Sequence, residues 1–272
     1  MDGKTRVYGL IGDPIEHSLS PLIHNSIAEM FKENFVYVPL PVKSENVGDA
    51  LKGAYAFHIY GMNVTTPHKQ KVMEYICDID PLAAQIGAVN TLLWTDKGYK
   101  GYNTDIIGLE KCFATDGFNI EGEDIIMLGA GGASKAVGIL LARKKANCIY
   151  ILNRTKSTGE QLAQQILTFY PDANIKVLGL DEYGQIPGFF ERKFNVVQAT
   201  SVGLCDATKT PIEAEDFFEH VNIGYDLIYN PLETLFMKKV REKGGEAFNG
   251  LHMLLSQAVA SYEIWREGLK NE

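Results

Sequence analysis

The stretch Asp124-Ile125-Ile126-Met127-Leu128-Gly129-Ala130-Gly131-Gly132-Ala133-Ser134 decides the fold. Asp124 to Leu128 reads as a short apolar strand, and the glycines stand at the mouth of a helical pattern from Ala133 to Lys145. Gly129 permits a tight turn and Gly131 lets a pyrophosphate approach the backbone. The helix N-terminus offers free N–H groups and the positive end of a dipole. Ser134 stands where a third glycine would allow close helix packing, and it is small enough to do the same. The alternative is a tight strand-to-helix turn that binds nothing; a strand before and a helix after favour a dinucleotide site over Gly129, Ala130, Gly131, Gly132 and Ala133.

Downstream the alternation continues, with strand Cys148 to Leu152, helix Ser157 to Phe169 and strand Ile175 to Gly179, then later strands Asn195 to Ala199 and Ile223 to Asp226. That rhythm predicts a doubly wound, Rossmann-type domain. Its second strand ends in Asn153-Arg154-Thr155, where an enzyme using NAD would carry an acid for the ribose 2′-hydroxyl. A guanidinium there forks onto a 2′-phosphate instead, so NADP is the expected cofactor.

Upstream, Arg6 to Ile11 and Phe35 to Leu40 read as strands and Leu22 to Phe31 and Asn46 to Tyr55 as helices. Phe57 to Val64 reads as a strand broken by Gly61. Helical patterns recur at Ile106 to Ala114, Leu232 to Lys243 and Gly250 to Gly268, the last two expected to return to the first lobe. The predicted class is α/β in two lobes: an N-terminal substrate domain with a mainly parallel sheet, over residues 1–105 plus 236–272, and an NADP-binding domain over 106–235. A cleft between lobes is the expected ligand site.

Composition narrows the function class. At 272 residues two domains are the prior, and 46% hydrophobic residues suffice for a core in each. A net charge of -8 without a basic run argues against nucleic acid, and obliges any anion site to be built locally. Cys77, Cys112, Cys148 and Cys205 make no metal-ligand spacing and read as free buried thiols; no metal is expected. His17, His24, His58, His68, His220 and His252 form no ligand set, and each reads as satisfied or solvated. The stretch after MDGKTR is too short for a membrane span or a signal core, so a cytoplasmic location and no membrane partner are expected.

Ser18-Leu19-Ser20-Pro21, Asn63-Val64-Thr65-Thr66-Pro67-His68-Lys69, Gly87-Ala88-Val89-Asn90-Thr91 and Gly101-Tyr102-Asn103-Thr104-Asp105 are unusually polar for strand ends. Each has a bland explanation as a cap or turn. In this order, ahead of the glycine-rich turn, NRT, Ala199 to Gly203, DLIYNP and a final NGLxML with Gln257, they resemble the shikimate dehydrogenase family across essentially the whole chain. The resemblance implies reversible NADP-dependent reduction of 3-dehydroshikimate to shikimate in aromatic amino acid biosynthesis. It implies that Ser18 and Ser20 hold the substrate carboxylate, that Asn63, Thr65, Asn90 and Gln257 contact ring hydroxyls, and that Lys69 and Asp105 flank the reacting carbon. It also implies that Thr200, Tyr229 and Gly250 line the nicotinamide side, beside the 2′-phosphate that the residue types at Asn153, Arg154 and Thr155 already suit, the Asn and Thr side chains donating to it with the guanidinium. These residue types suit the chemistry, since an ammonium stabilises the alkoxide formed on hydride transfer and a carboxylate orients it.

Two positions depart from the family pattern: Thr66 replaces an apolar residue and Gln198 an asparagine, with altered packing the expected result. A quinate/shikimate dehydrogenase of broader specificity shares the Lys/Asp pair, although Ser20 and NRT tilt against it. A glutamyl-tRNA reductase would need a cysteine nucleophile and a tRNA-binding surface. A non-catalytic sensor of shikimate-like acids has no need of both Lys69 and Asp105. The expected partner is a small-molecule substrate, with the chain a monomer or homodimer, free or as part of a longer fused polypeptide.

Overall fold

The protein, seen as a computed structural model that describes residues 1–270, divides into two compact units. One is Met1–Gly108 with the residues from Leu255 onward; the other is Leu109–Leu254. The elements of the first are β1 Arg6–Gly12, α1 Ser20–Phe31, β2 Phe35–Pro41, α2 Val47–Ala56, β3 Ile59–Val64, β4 Asp78–Ile79, α3 Pro81–Ile86, β5 Thr91–Thr95 and β6 Gly98–Tyr102. Then come α4 Asp105–Thr115, β7 Asp124–Leu128, α5 Gly132–Arg143, β8 Cys148–Leu152, α6 Lys156–Phe169, β9 Ile175–Leu178, β10 Phe194–Gln198, α7 Glu215–Glu219, β11 Val221–Asp226, α8 Leu235–Glu242, β12 Glu246–Phe248 and α9 Leu251–Gly268.

The first unit is a mixed sheet in the order β2-β1-β3-β5-β6-β4. Strands β1, β2 and β3 are parallel, while β5 runs antiparallel to both β3 and β6. The period-2 alternation of β1 sends Tyr8 and Leu10 into a cluster with Ile27, Tyr37, Tyr262 and Trp265 under α1 and α9, and Ile11 into a cluster with Val47, Leu51 and Met62 under α2. The hairpin β5–β6 has no counterpart among the strands expected from local pattern, and it positions two of the polar motifs. Pairing Thr91 with Tyr102 sets the end of the GAVNT segment beside the end of GYNTD.

Gly61 does not break its strand. It pairs with both neighbours, and a Cβ there would stand 2.2 Å from Trp265 Nε1, the nitrogen that donates to Leu92 O at 2.9 Å. The glycine makes room for the indole of α9.

The second unit is an all-parallel sheet, β12-β11-β10-β7-β8-β9, the doubly wound order with its reversal between β7 and β10. The boundary differs from the expected one. Residues 236–254 belong to this unit, because Phe236, Met237 and Val240 of α8 join its core and β12 extends its sheet on β11. Among the described residues no helix is long and apolar enough to cross a membrane.

Replacing Gly61 by Ala is expected to lower unfolding free energy by roughly 1–3 kcal/mol, since Trp265 must shift and strain its hydrogen bond. Urea unfolding of the variant against wild type measures this; equal stability would contradict the packing role.

Candidate active site

In the first unit, the hairpin and α9 gather a buried polar cluster. Lys69 follows β3 in a loop whose carbonyl accepts the Val89 N–H at 2.8 Å, so the GAVNT segment pins its backbone. Asp105 opens α4, capped by Asn103 Oδ1, which accepts the N–H groups of Asp105 and Ile106 at 3.1 and 3.4 Å. Lys69 Nζ lies 2.6 Å from Asp105 Oδ2, with the two side chains 32% and 20% exposed, so the pair is partly desolvated yet open to a small molecule. The other carboxylate oxygen, Oδ1, accepts the Asn90 amide at 2.9 Å.

Asn90 Oδ1 is itself saturated, accepting from the Thr104 N–H at 2.7 Å, the Thr104 hydroxyl at 3.1 Å and the Thr91 hydroxyl at 3.0 Å. Thr104 also reaches Gln257 Oε1 at 3.3 Å and the Ser261 hydroxyl at 3.1 Å. Asn63, on β3, donates its amide toward Asn90 O, Thr91 Oγ1 and Ser261 Oγ at 3.2, 3.1 and 3.0 Å. A network with so few open valences fixes rotamers and resists rearrangement.

Ser18 Oγ accepts the Ser20 N–H at 3.2 Å and Pro21 follows in the first turn of α1, so both hydroxyls sit half-exposed at the helix mouth. Thr65 is held over β1 by its N–H on Ile11 O at 2.9 Å, and its methyl crowds Gly12. Thr66 is exposed, so its departure from an apolar residue leaves the buried core untouched.

In the second unit, Gly129 takes φ +104°, and a Cβ there would meet Thr200 Cγ2 at 2.7 Å. Gly131 and Gly132 are different: a Cβ on either would have no neighbour within 4 Å, leaving open space over the start of α5 beside Ala130 and Ala133. Ser134 is buried and accepts the Gly131 N–H at 3.1 Å, which holds the turn; the close helix contact falls to Gly138, whose Cβ would meet Ile166 at 2.5 Å. Exposed Arg154 makes no ion pair among the described residues, whereas its neighbour Lys156 is paired with Glu182. Asn153 turns its amide onto Thr155 O at 2.9 Å, shaping the loop around that arginine. The open glycine turn and the unpaired guanidinium fit a phosphorylated dinucleotide.

Two loops leave the ends of β10 and β11, and two buried side chains hold them. Gln198 accepts the Thr200 N–H at 2.6 Å and donates to Val202 O at 3.0 Å, a span that uses the extra methylene relative to asparagine. Asp226, its partner in strand register, accepts the Ile228 N–H at 2.9 Å and the Thr234 hydroxyl at 2.6 Å. Tyr229 stands half-buried in the second loop. Gly250 is explained by packing alone: a Cβ would lie 2.2 Å from Leu227 O, and its N–H is taken by Ile228 O.

Several expectations need correction. Cys77 and Cys205 are exposed, with only Cys112 and Cys148 buried, because the former pair lie in loops, one just before β4 and one after β10. His24 is neither solvated nor satisfied: it is fully buried, neither ring nitrogen has a hydrogen-bond partner, and burial pushes its pKa down to about 4.

Against known proteins, the shikimate dehydrogenase substrate-binding-domain model matches residues 10–92. The shikimate dehydrogenase (NADP(+)) of Halothermothrix orenii is 39% identical, with 100% of this chain and 94% of that protein aligned. The chain belongs to the shikimate dehydrogenase family. Among solved structures, the Listeria monocytogenes shikimate 5-dehydrogenase in complex with shikimate and NAD superposes with a TM-score of 0.91 at 29% identity, covering 98% of this chain and 93% of that one. The Thermus thermophilus shikimate 5-dehydrogenase in complex with NADP(H) and shikimate gives 0.84 at 30%, covering 96% and 93%.

Relative to the family motifs, sequence reasoning missed Thr104, Ser261, Gln198 and Asp226 as organisers. Ser261 carried a signal, standing four residues after Gln257 on one helix face. Asp226 carried one too, as a lone acid ending an apolar strand.

Burial raises the Asp226 pKa from 3.8 to about 6. The folded state therefore binds more protons than the unfolded one between those values, and stability falls as pH rises through the window. Relative to Asp226→Asn, wild type is expected to lose about 2 kcal/mol between pH 4 and pH 6. Denaturant unfolding across that range checks it; parallel curves would contradict the assignment.

Proposed function

We propose that this chain catalyses the reversible NADPH-dependent reduction of 3-dehydroshikimate to shikimate, serving aromatic amino acid biosynthesis. The observation that carries the reading is Lys69 Nζ at 2.6 Å from an Asp105 carboxylate whose second oxygen is locked by Asn90, in the unit that also presents the Ser18 and Ser20 hydroxyls. Bound NADPH supplies the hydride. Everything else falls to the chain. As the substrate carbonyl becomes an alkoxide, the Lys69 ammonium offers it positive charge and a proton-donating N–H, while Asp105 holds that ammonium in place and accepts from the hydroxyl.

The remaining valences describe what the site can hold. Ser18 and Ser20 offer hydroxyl donors suited to a carboxylate. Asn90 retains one amide N–H, since its oxygen is saturated. Gln257, whose Oε1 lies 3.3 Å from the Thr104 hydroxyl, brings a second carboxamide to the same cluster, and Thr65 adds a hydroxyl. A ring bearing several hydroxyls and one carboxylate matches this set. For the cofactor, Gly131 and Gly132 with the α5 N–H groups take the pyrophosphate, Arg154 takes the 2′-phosphate between Asn153 and Thr155, and Thr200 and Tyr229 line the nicotinamide. Gly250 contributes backbone shape to that side. The proposed setting is the cytoplasm, which suits four cysteines held in no disulfide.

The test is absorbance at 340 nm with purified protein, shikimate or quinate, and NADP or NAD. Shikimate oxidation with NADP well above the other combinations is the expected result. Comparable quinate turnover would move the reading to the broader dehydrogenase, and retained shikimate binding without turnover would move it to a sensor. Lys69→Ala and Asp105→Asn should each lower kcat by about 10² or more with little change in NADP affinity. Arg154→Ala should weaken NADP by roughly 1.5–3 kcal/mol and leave NAD unaffected; an unchanged NADP/NAD preference would contradict the assignment.

A further inference from the structure

Tyr37, in the middle of β2, is almost wholly buried beneath the proposed substrate site, and no motif draws attention to it. Its phenol donates to Asn63 Oδ1 at 2.8 Å and also faces the Ser20 side chain. Which end of the Asn63 amide is which follows from its other partners. The nitrogen faces the backbone carbonyl of Asn90, which can only accept, so the oxygen must face Tyr37 and the phenol must be the donor. Both amide protons of Asn63 are then engaged by Asn90 O, Thr91 and Ser261, and one of its two acceptor positions is filled by Tyr37. A single acceptor position is left, and the His24 imidazole lies near it without closing a hydrogen bond.

The tyrosine ring is itself tightly held. Asn25 accepts the Tyr37 N–H at 2.9 Å and donates to its carbonyl at 2.9 Å, and the same amide nitrogen reaches Pro21 O at 2.8 Å. This ties β2 to the first turn of α1, where Ser20 stands. His24 stacks on the ring at 4.4 Å and 15°, and Trp265 lies at 6.2 Å. The imidazole is neutral because burial depresses its pKa, so it packs there as an uncharged plate. Removing the phenol oxygen would leave backbone and ring stack intact while freeing the oxygen end of Asn63.

We propose that Tyr37 is a positioning residue for substrate recognition: acting through Asn63, it restricts that amide to one acceptor aimed at a single ring hydroxyl of the substrate. The inference rests on reading this unit as the shikimate site. With the tyrosine hydroxyl gone, the buried Asn63 oxygen loses its fixed donor and offers two acceptor positions in place of one, which weakens binding of the polyol ring more than it slows hydride transfer.

The test is steady-state kinetics of Tyr37→Phe, Asn63→Ala and the double variant with shikimate and NADP, beside melting curves. Tyr37→Phe should raise KM for shikimate about tenfold, with kcat within about threefold and KM for NADP within about twofold. Because Tyr37 acts through Asn63, the double variant should bind shikimate no worse than Asn63→Ala alone. An unchanged KM in Tyr37→Phe overturns the proposal, whether or not its melting temperature falls, and so do additive effects in the double variant. Should Asn63→Ala fail to fold, the KM and kcat split of Tyr37→Phe decides alone. Wild type that turns over no shikimate would overturn the functional reading itself, and is told apart because it needs no variant.

Discussion

The interaction on which the candidate site depends is the Asn90 carboxamide between Thr104 and Asp105. Three donors saturate its oxygen, so the nitrogen has one direction in which to point, and Asp105 Oδ1 lies there. That leaves Asp105 Oδ2 for Lys69. The geometry of two ionisable side chains thus descends from a neutral group whose oxygen is fully hydrogen-bonded, which holds its place at any ionic strength, whereas an exposed ion pair would be screened. The antiparallel hairpin makes this possible, because pairing Thr91 with Tyr102 puts residues 90 and 103–105 at adjacent strand ends despite a dozen intervening residues.

The second unit solves a related problem with different means. An all-parallel sheet ends in loops at its C-terminal edge, and at the reversal between β7 and β10 those loops must keep a defined shape. Gly129 lets the first turn pass against Thr200, while Gln198 and Asp226 hold the loops after β10 and β11 by their backbone N–H and carbonyl groups. A buried carboxyl is a costly way to do so, and the raised pKa of Asp226 measures that cost.

Much of this was legible in sequence where local pattern equals local structure. Asp124 to Leu128 and Cys148 to Leu152 are buried on both faces, so they read as short apolar runs with sharp ends, and the structure reproduces both spans. Local pattern failed where a distant partner decides. Gly61 looked like a strand breaker because Trp265, two hundred residues on, is invisible in a window. β12 has three residues and exists only because β11 offers an edge. The polar motifs named Lys69, Asp105, Asn63, Asn90 and Gln257 but not their hydrogen-bond order. Asn90 reads as one more ring contact until the structure shows most of its valences committed to the protein. Tyr37 and His24 carry no local signal, since an apolar strand and an amphipathic helix would look the same without them.

Control of the reacting pair by Asn90, exerted through Asp105, is tested most directly by a kinetic double-mutant cycle. Asn90→Ala, Asp105→Ala and the double variant are compared by kcat for shikimate oxidation with NADP, so that the substrate contact of the remaining Asn90 N–H is read separately in KM. Asn90→Ala alone is predicted to slow the reaction by about 10 to 10²-fold, and the double variant to be no slower than Asp105→Ala. Multiplicative losses of kcat in the double variant would contradict this control, and would give Asn90 a share in the chemical step that does not pass through Asp105.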